Sequence, residues 1–246
     1  MKIPYVVISL ATYEDTIPWS FGQRLLELLC SYPKLQPERI GYWDIDMEPF
    51  GSVDDMESRW VRRTINEYQG KKIEGLESHW WERKRVARST VYFSHTFTNM
   101  KSTQMLGILN LHAHYHKSVD WRELFDNLCV LMKPKNGMLH IFTDDERPMG
   151  RGNQKFPMGS FDSPTRSGPY DFGWMYVSGH NCYDEVMAAD LEGTDIIRVD
   201  HGSYATLQIA KGEDELFNDF KTFAARRELL KERLPIIISE EPVSIL

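Results

Sequence analysis

Three histidines at alternate positions, His112, His114 and His116 in "LNLHAHYHK", are the residues here whose type and spacing most plainly raise the question of chemistry. On an extended strand alternate side chains share a face, so all three would project the same way. A His-x-His pair on a strand is a spacing that zinc sites use. The outer two rings, however, stand about 13 Å apart at strand rise, too far to hold one ion together. A metal centre on His112 and His114 would therefore need ligands from other elements. His79, His95, His140, His180 and His201 are available, and none sits in a recognisable partner motif. The competing reading, a polar strand face with stacked and hydrogen-bonded imidazoles, is preferred. A metal-dependent hydrolase using the His-x-His pair stands as the alternative function.

Other chemistry has less support. In "WERKR", Glu82 and Lys84 have the spacing with which metal-dependent nucleases place a carboxylate and a lysine on one strand face. That chemistry needs a further upstream aspartate, and Asp54 and Asp55 fall where a helix is expected, so a charged strand edge is the better account. "HGSYAT" puts His201 beside Ser203 without a readable third residue or oxyanion hole. The chain carries no Gly-x-Ser-x-Gly, no phosphate-binding glycine loop, no dinucleotide fingerprint and no His-Glu-x-x-His. Neither an enzyme nor a bound cofactor is expected.

Charge segregation says more. Residues 44–58, "DIDMEPFGSVDDMES", hold Asp44, Asp46, Glu48, Asp54, Asp55 and Glu57 and no base. A second acidic knot is Asp144-Asp145-Glu146. Between them, Lys71, Lys72, Arg83, Lys84, Arg85 and Arg88 make 71–88 basic. Acids near a helix start answer its dipole, which is one account of Asp54 and Asp55. The other is a protein-binding patch, in which Trp43 and Phe50 are apolar anchors and the acids form a charged rim that steers a basic partner. The net charge of −7 in 246 residues repels phosphate backbones, so nucleic acid is not expected as a partner.

The elements that must position these residues read as α+β: a mainly antiparallel central sheet flanked by several helices, in a single domain over 1–246. Ile3 to Leu10 is an expected strand. "WSFGQRLLELLCSYP" has Phe21, Leu25, Leu28 and Leu29 at helical spacing. Val53 to Tyr68 is expected to be a helix, with Val53, Met56, Trp60 and Thr64 in one stripe and Gly70 as its stop. "HWWERKRVA", "STVYFSHTFTN" and "QMLGILNLHAHYH" read as an antiparallel meander. Asp120 to Met132 begins with capping-box spacing at Asp120 and Glu123. "GMLHIFT", "DFGWMYVSG", "TDIIRVD" and "YATLQIA" read as strands, and Glu213 to Leu234 as one long helix. A Gly/Pro/Ser-rich loop spans 143–171.

The opening "MKIPYVVISLATYED" reads as a buried strand and not as a signal peptide, and no apolar run is long enough to span a bilayer. Cys30, Cys129 and Cys182 are odd in number and far apart, which suits reduced thiols in a cytoplasmic protein.

The stretches "YVVISLATYED", "RIGYWDIDMEPFG" and "HWWERKRVARSTVYFSHTF" resemble the bacterial immunity proteins of polymorphic toxin and type VI secretion systems, more narrowly the immunity protein 52 family. The resemblance implies a non-enzymatic cytoplasmic protein. It would bind a cognate nuclease toxin with a restriction-endonuclease-like domain, and so protect the producing cell and its siblings.

Overall fold

The computed structural model describes residues 3–42, 46–68, 70–99, 103–146 and 171–234. Within it the chain divides into two compact units, a continuous one over 11–132 and a split one made of 1–10 and 133–246. The sequence reading treats the chain as one domain; each unit is described in turn. Both are α+β, and every strand pairing whose register is stated below is antiparallel.

Strand β1 (Tyr5–Thr12) opens the chain, and its run Val6 to Ala11 is buried throughout. In the continuous unit, helix α1 (Trp19–Ser31) follows and buries Phe21, Gly22, Leu25, Leu26 and Leu29. After β2 (Arg39–Tyr42) and the two-residue β3 (Glu48–Pro49) comes a short 3₁₀ helix, Asp54–Arg59. Strands β4 (Arg63–Tyr68) and β5 (Lys71–Leu76) form a separate hairpin. The main sheet is completed by β6 (His79–Arg83) and β7 (Ser89–Ser94). A small pair, β8 (Phe97–Thr98) and β9 (Gln104–Met105), precedes β10 (Gly107–His114) and helix α2 (Trp121–Met132). Strand order in this part of the sheet is β10-β7-β6-β2-β3. The expected meander is there: β6 pairs β7 and β7 pairs β10. The expected cap is there too, with Asp120 Oδ1 accepting from the Glu123 N–H at 2.9 Å.

The expected helix over Val53 to Tyr68 is not formed. Met56 and Trp60 are buried as the stripe required, but the helical segment stops at Arg59 and the chain turns into β4. Gly70 has φ +72°, the left-handed conformation that a tight hairpin turn needs, so it joins two strands where a helix stop was expected. Ile65 and Glu74 face each other across that hairpin.

In the split unit the strand order is β13-β14-β12-β11-β1, with β11 (Asn136–Phe142), β12 (Met175–Gly179), β13 (Ile197–Asp200) and β14 (Tyr204–Gln208). Strands β11, β12 and β14 are buried along their whole length, as sheet strands covered on both faces must be. Helix α3 (Tyr183–Ala188) packs on β12 and β14. The expected single C-terminal helix is two: α4 (Glu213–Asn218) and α5 (Phe220–Arg233). Asp219 breaks the run with φ −142° and then caps α5 by accepting from the Thr222 N–H.

Candidate functional site

The described part of the acidic segment, 46–58, folds into a turn on the continuous unit. Asp46, Glu48, Asp54, Asp55 and Glu57 are exposed, and Phe50 is half-buried. Trp43 and Asp44 lie outside the described residues. Local bonds give the turn its shape. Glu48 pairs with Arg59 at 2.9 Å across the turn, and the Phe50 N–H donates to the Glu38 carbonyl. Asp55 Oδ2 accepts from the Ser52 N–H at 2.9 Å, while Ser52 Oγ accepts from the Asp55 N–H at 3.3 Å. Glu48 is thus partly neutralised, and the free negative face is carried by Asp46, Asp54, Asp55 and Glu57.

What anchors this turn is Trp60, immediately after it and 1% exposed. Its indole stacks on His79 with centroids 4.8 Å apart and on Phe93 at 5.2 Å, and its Nε1–H donates to the Thr16 carbonyl at 2.9 Å. Its carbonyl oxygen lies 2.7 Å from His79 Nε2 and 2.8 Å from His95 Nε2. A carbonyl only accepts, so His79 carries hydrogen on Nε2. His95 Nδ1 lies 3.2 Å from the Thr16 carbonyl oxygen and 3.4 Å from the Thr16 hydroxyl. The two Nε2 atoms are 3.3 Å apart, and burial holds both rings neutral, His79 with its pKa down to about 4.

The second acidic knot divides. Asp144 and Asp145 are exposed on the split unit. Glu146 is 2% exposed and therefore belongs to no exposed patch, in contrast to the surface role expected of it. Its carboxylate takes both prongs of Arg227, Oε2 to Nη1 at 2.9 Å and Oε1 to Nη2 at 2.8 Å, and accepts from His140 Nε2–H at 2.9 Å. The tautomer of His140 is fixed because Nδ1 accepts from the Trp174 N–H at 3.1 Å. These donors hold the Glu146 carboxyl at a pKa of about 2, against the opposing effect of burial. Asp171 lies 3.3 Å from Arg227 Nε and 2.9 Å from Lys231 Nζ.

The alternating histidines do not converge. His112 and His114 share the half-buried face of β10, opposite to the face that buries Leu109 and Leu111. His116 lies beyond the strand end, where its Nδ1 accepts from Ser118. Among the described residues, no three His, Cys, Asp or Glu side chains are grouped as metal ligands would be. Glu82 of the nuclease-like spacing is engaged by Arg39 at 3.1 Å and Lys84 at 3.4 Å, which makes it part of a charged strand edge. His201 stacks on Tyr204 and bonds the Thr206 hydroxyl at 3.2 Å. None of the three cysteines is in a disulfide. A shallow cavity of about 140 Å³ in the continuous unit is lined by Ile17, Leu76 and Phe97, with the Arg63–Glu74 ion pair at its rim.

No protein-family model matches the chain, and neither does any curated protein. Among solved structures it is similar to the Pseudomonas aeruginosa T6SS protein PA0821, with 10% sequence identity and a TM-score of 0.58. The similarity covers 95% of this chain and 73% of that one. At such low identity it is a likeness of fold. Among the described residues, no helix is long and apolar enough to cross a membrane.

Sequence reasoning missed the two groups that position these surfaces, the His79–Trp60–His95 cluster and the Glu146–Arg227–Asp171 network. A signal for the first existed: His95 shares the face of Val91 and Phe93, and a histidine on an apolar face must be buried with a partner. For the second there was none, because Arg226 and Arg227 read as the wet side of a helix.

Proposed function

We propose that this chain is an immunity protein of a type VI secretion or related polymorphic toxin system, which binds a cognate nuclease toxin in the cytoplasm and neutralises it without catalysis of its own. The exposed acidic turn carries this reading. Four carboxylates, Asp46, Asp54, Asp55 and Glu57, stand on a segment fixed to the core by Trp60. A rigid negative surface is complementary to a protein built to grip DNA phosphates, and it loses little conformational freedom on docking. The fold likeness to a protein described as a T6SS protein supports the system, and the resemblance to immunity proteins supports the role.

The test is co-expression with the toxin encoded beside this gene, followed by native co-purification and a toxicity assay. A stoichiometric complex and rescued growth are expected. Absence of any complex refutes the function. An unchanged affinity after Asp54→Lys, Asp55→Lys and Glu57→Lys together refutes only the surface.

A further inference from the structure

Strand β13 ends the strand order of the split unit. It pairs with β14, and among the described residues no strand pairs with its other edge. The bonding direction follows residue by residue. The His201 N–H donates to the Tyr204 carbonyl at 2.9 Å. In an antiparallel ladder the direction alternates, so Val199 and Ile197 also turn their backbone groups towards β14. Arg198 and Asp200 therefore point their N–H and C=O groups at the open side. The side chains divide by face. Ile197 and Val199 share one face and are 48% and 42% exposed. Arg198 and Asp200 share the other and are held by their own unit. Arg198 Nη1 donates to the Val186 and Ala189 carbonyls at 2.8 Å each. Asp200 Oδ1 accepts from the Tyr183 hydroxyl and the Gly202 N–H, both at 2.7 Å. Edges are commonly guarded by proline or by a very short strand. Strand β3, which ends the order in the continuous unit, has both guards, with two residues of which one is Pro49. Strand β13, Ile-Arg-Val-Asp, has neither.

We propose that β13 pairs with β13 of a second copy of this chain, antiparallel about a two-fold axis at Val199. The strand's own charges select both the partner and the register. With Val199 opposite the partner's Val199, each Arg198 stands opposite an Asp200 on the same face. These are the residues whose backbone groups face outward, so the two Arg198–Asp200 pairs exchange four N–H···O=C bonds. A slip of two residues either way sets Arg198 against Arg198 or Asp200 against Asp200. A slip of one brings inward-facing backbone groups opposite outward-facing ones and forms no ladder. A pattern that complements itself under two-fold rotation fits a second copy of the same strand. On the other face Val199 meets the partner's Val199 as a non-hydrogen-bonded pair, with Cα atoms about 4.5 Å apart, and Ile197 of each copy extends the apolar contact.

Two paired four-residue strands bury far less than the roughly 1,600 Å² of a tight complex, so the dimer depends on concentration. Sedimentation velocity of the full chain between about 1 and about 200 μM should show a monomer passing into a dimer. Val199→Lys sets two ammonium groups against each other at the axis. It should weaken association at least about ten-fold and leave the melting curve unchanged. Disulfide trapping under mild oxidation tests the register. Val199→Cys puts two thiols at a spacing that a disulfide spans, and most of the chain should become a covalent dimer. Ile197→Cys, similarly exposed, puts its thiols roughly 14 Å apart. It should cross-link no faster than the unsubstituted chain, whose three cysteines set the background. A chain that stays monomeric throughout, a dimer that survives Val199→Lys, or equal trapping of the two cysteine variants overturns the proposal. Trapping of Val199→Cys only when the toxin is co-expressed also overturns it, and leaves the proposed function standing.

Discussion

The Trp60 carbonyl oxygen lies within hydrogen-bond distance of two buried imidazoles, and the burial of those rings decides how the molecule responds to acid. His79 ionises near pH 6.5 in the unfolded chain and at about 4 in the fold. Between those values the unfolded state binds the proton and the folded state does not, so stability is complete above pH 6.5 and declines as pH falls towards 4. The full effect is about 3 kcal/mol. Arg59 acts in the same direction on His79, Asp15 opposes burial at His95, and buried His140 adds a decline of the same sign. Glu146 extends the loss from pH 4.5 towards 2, while Asp171, its pKa raised by burial, works in the opposite sense. Urea unfolding at a series of pH values should show the decline beginning near neutrality, and His79→Phe should flatten it. Gly22 offers a second check. A Cβ there would run into the Trp60 indole, so Gly22→Ala should cost about 1–3 kcal/mol despite the helix propensity of alanine.

At the scale of elements, two breaks decide what the sequence could reveal. Met56 and Trp60 are four apart, and with Val53 and Thr64 they imitate a helical stripe. Strand β4 begins only where Arg63 to Tyr68 finds a partner in Lys71 to Leu76, and pairing of that kind cannot be read from one segment. Gly70→Ala should destabilise the hairpin by about 1 kcal/mol, seen as faster amide exchange confined to β4 and β5. Asp219 likewise divides a run that is apolar at helical spacing on both sides. Asp219→Ala should cost about 1 kcal/mol through loss of the α5 cap, measured by urea unfolding. The meander was legible because Val91, Phe93 and His95 alternate cleanly with Tyr92 and Ser94, and the α2 cap because Asp120 and Glu123 have fixed spacing. Phe223 and Leu230 were legible on α5, but Arg226 and Arg227, each 6% exposed, were not. Hydrophobic pattern places charge outside, while Glu146, Glu215, Asp171 and the Ile209 carbonyl bring those guanidinium groups in.

For the molecule as a whole, the −7 charge matters through where it is displayed. The acidic turn displays Asp46, Asp54, Asp55 and Glu57, and the buried Trp60 follows it directly. Under the proposed function, association with the basic partner should be fast and salt-sensitive. The triple reversal at 54, 55 and 57 should slow association by about 10- to 100-fold and abolish its salt dependence, measured by stopped-flow fluorescence at two ionic strengths.

The Thr12 hydroxyl donates to the Met132 carbonyl, so the continuous unit begins and ends at one point, and the split unit is interrupted there in sequence. On the ribosome this orders assembly. Residues 11–132 have every partner of their own unit once Met132 has emerged, while Tyr5 to Leu10 belong to a unit whose remaining residues have not yet emerged. At ordinary elongation rates Tyr5 to Leu10 therefore wait on the order of ten seconds for the rest of their own unit to begin appearing. The unit started first is finished last.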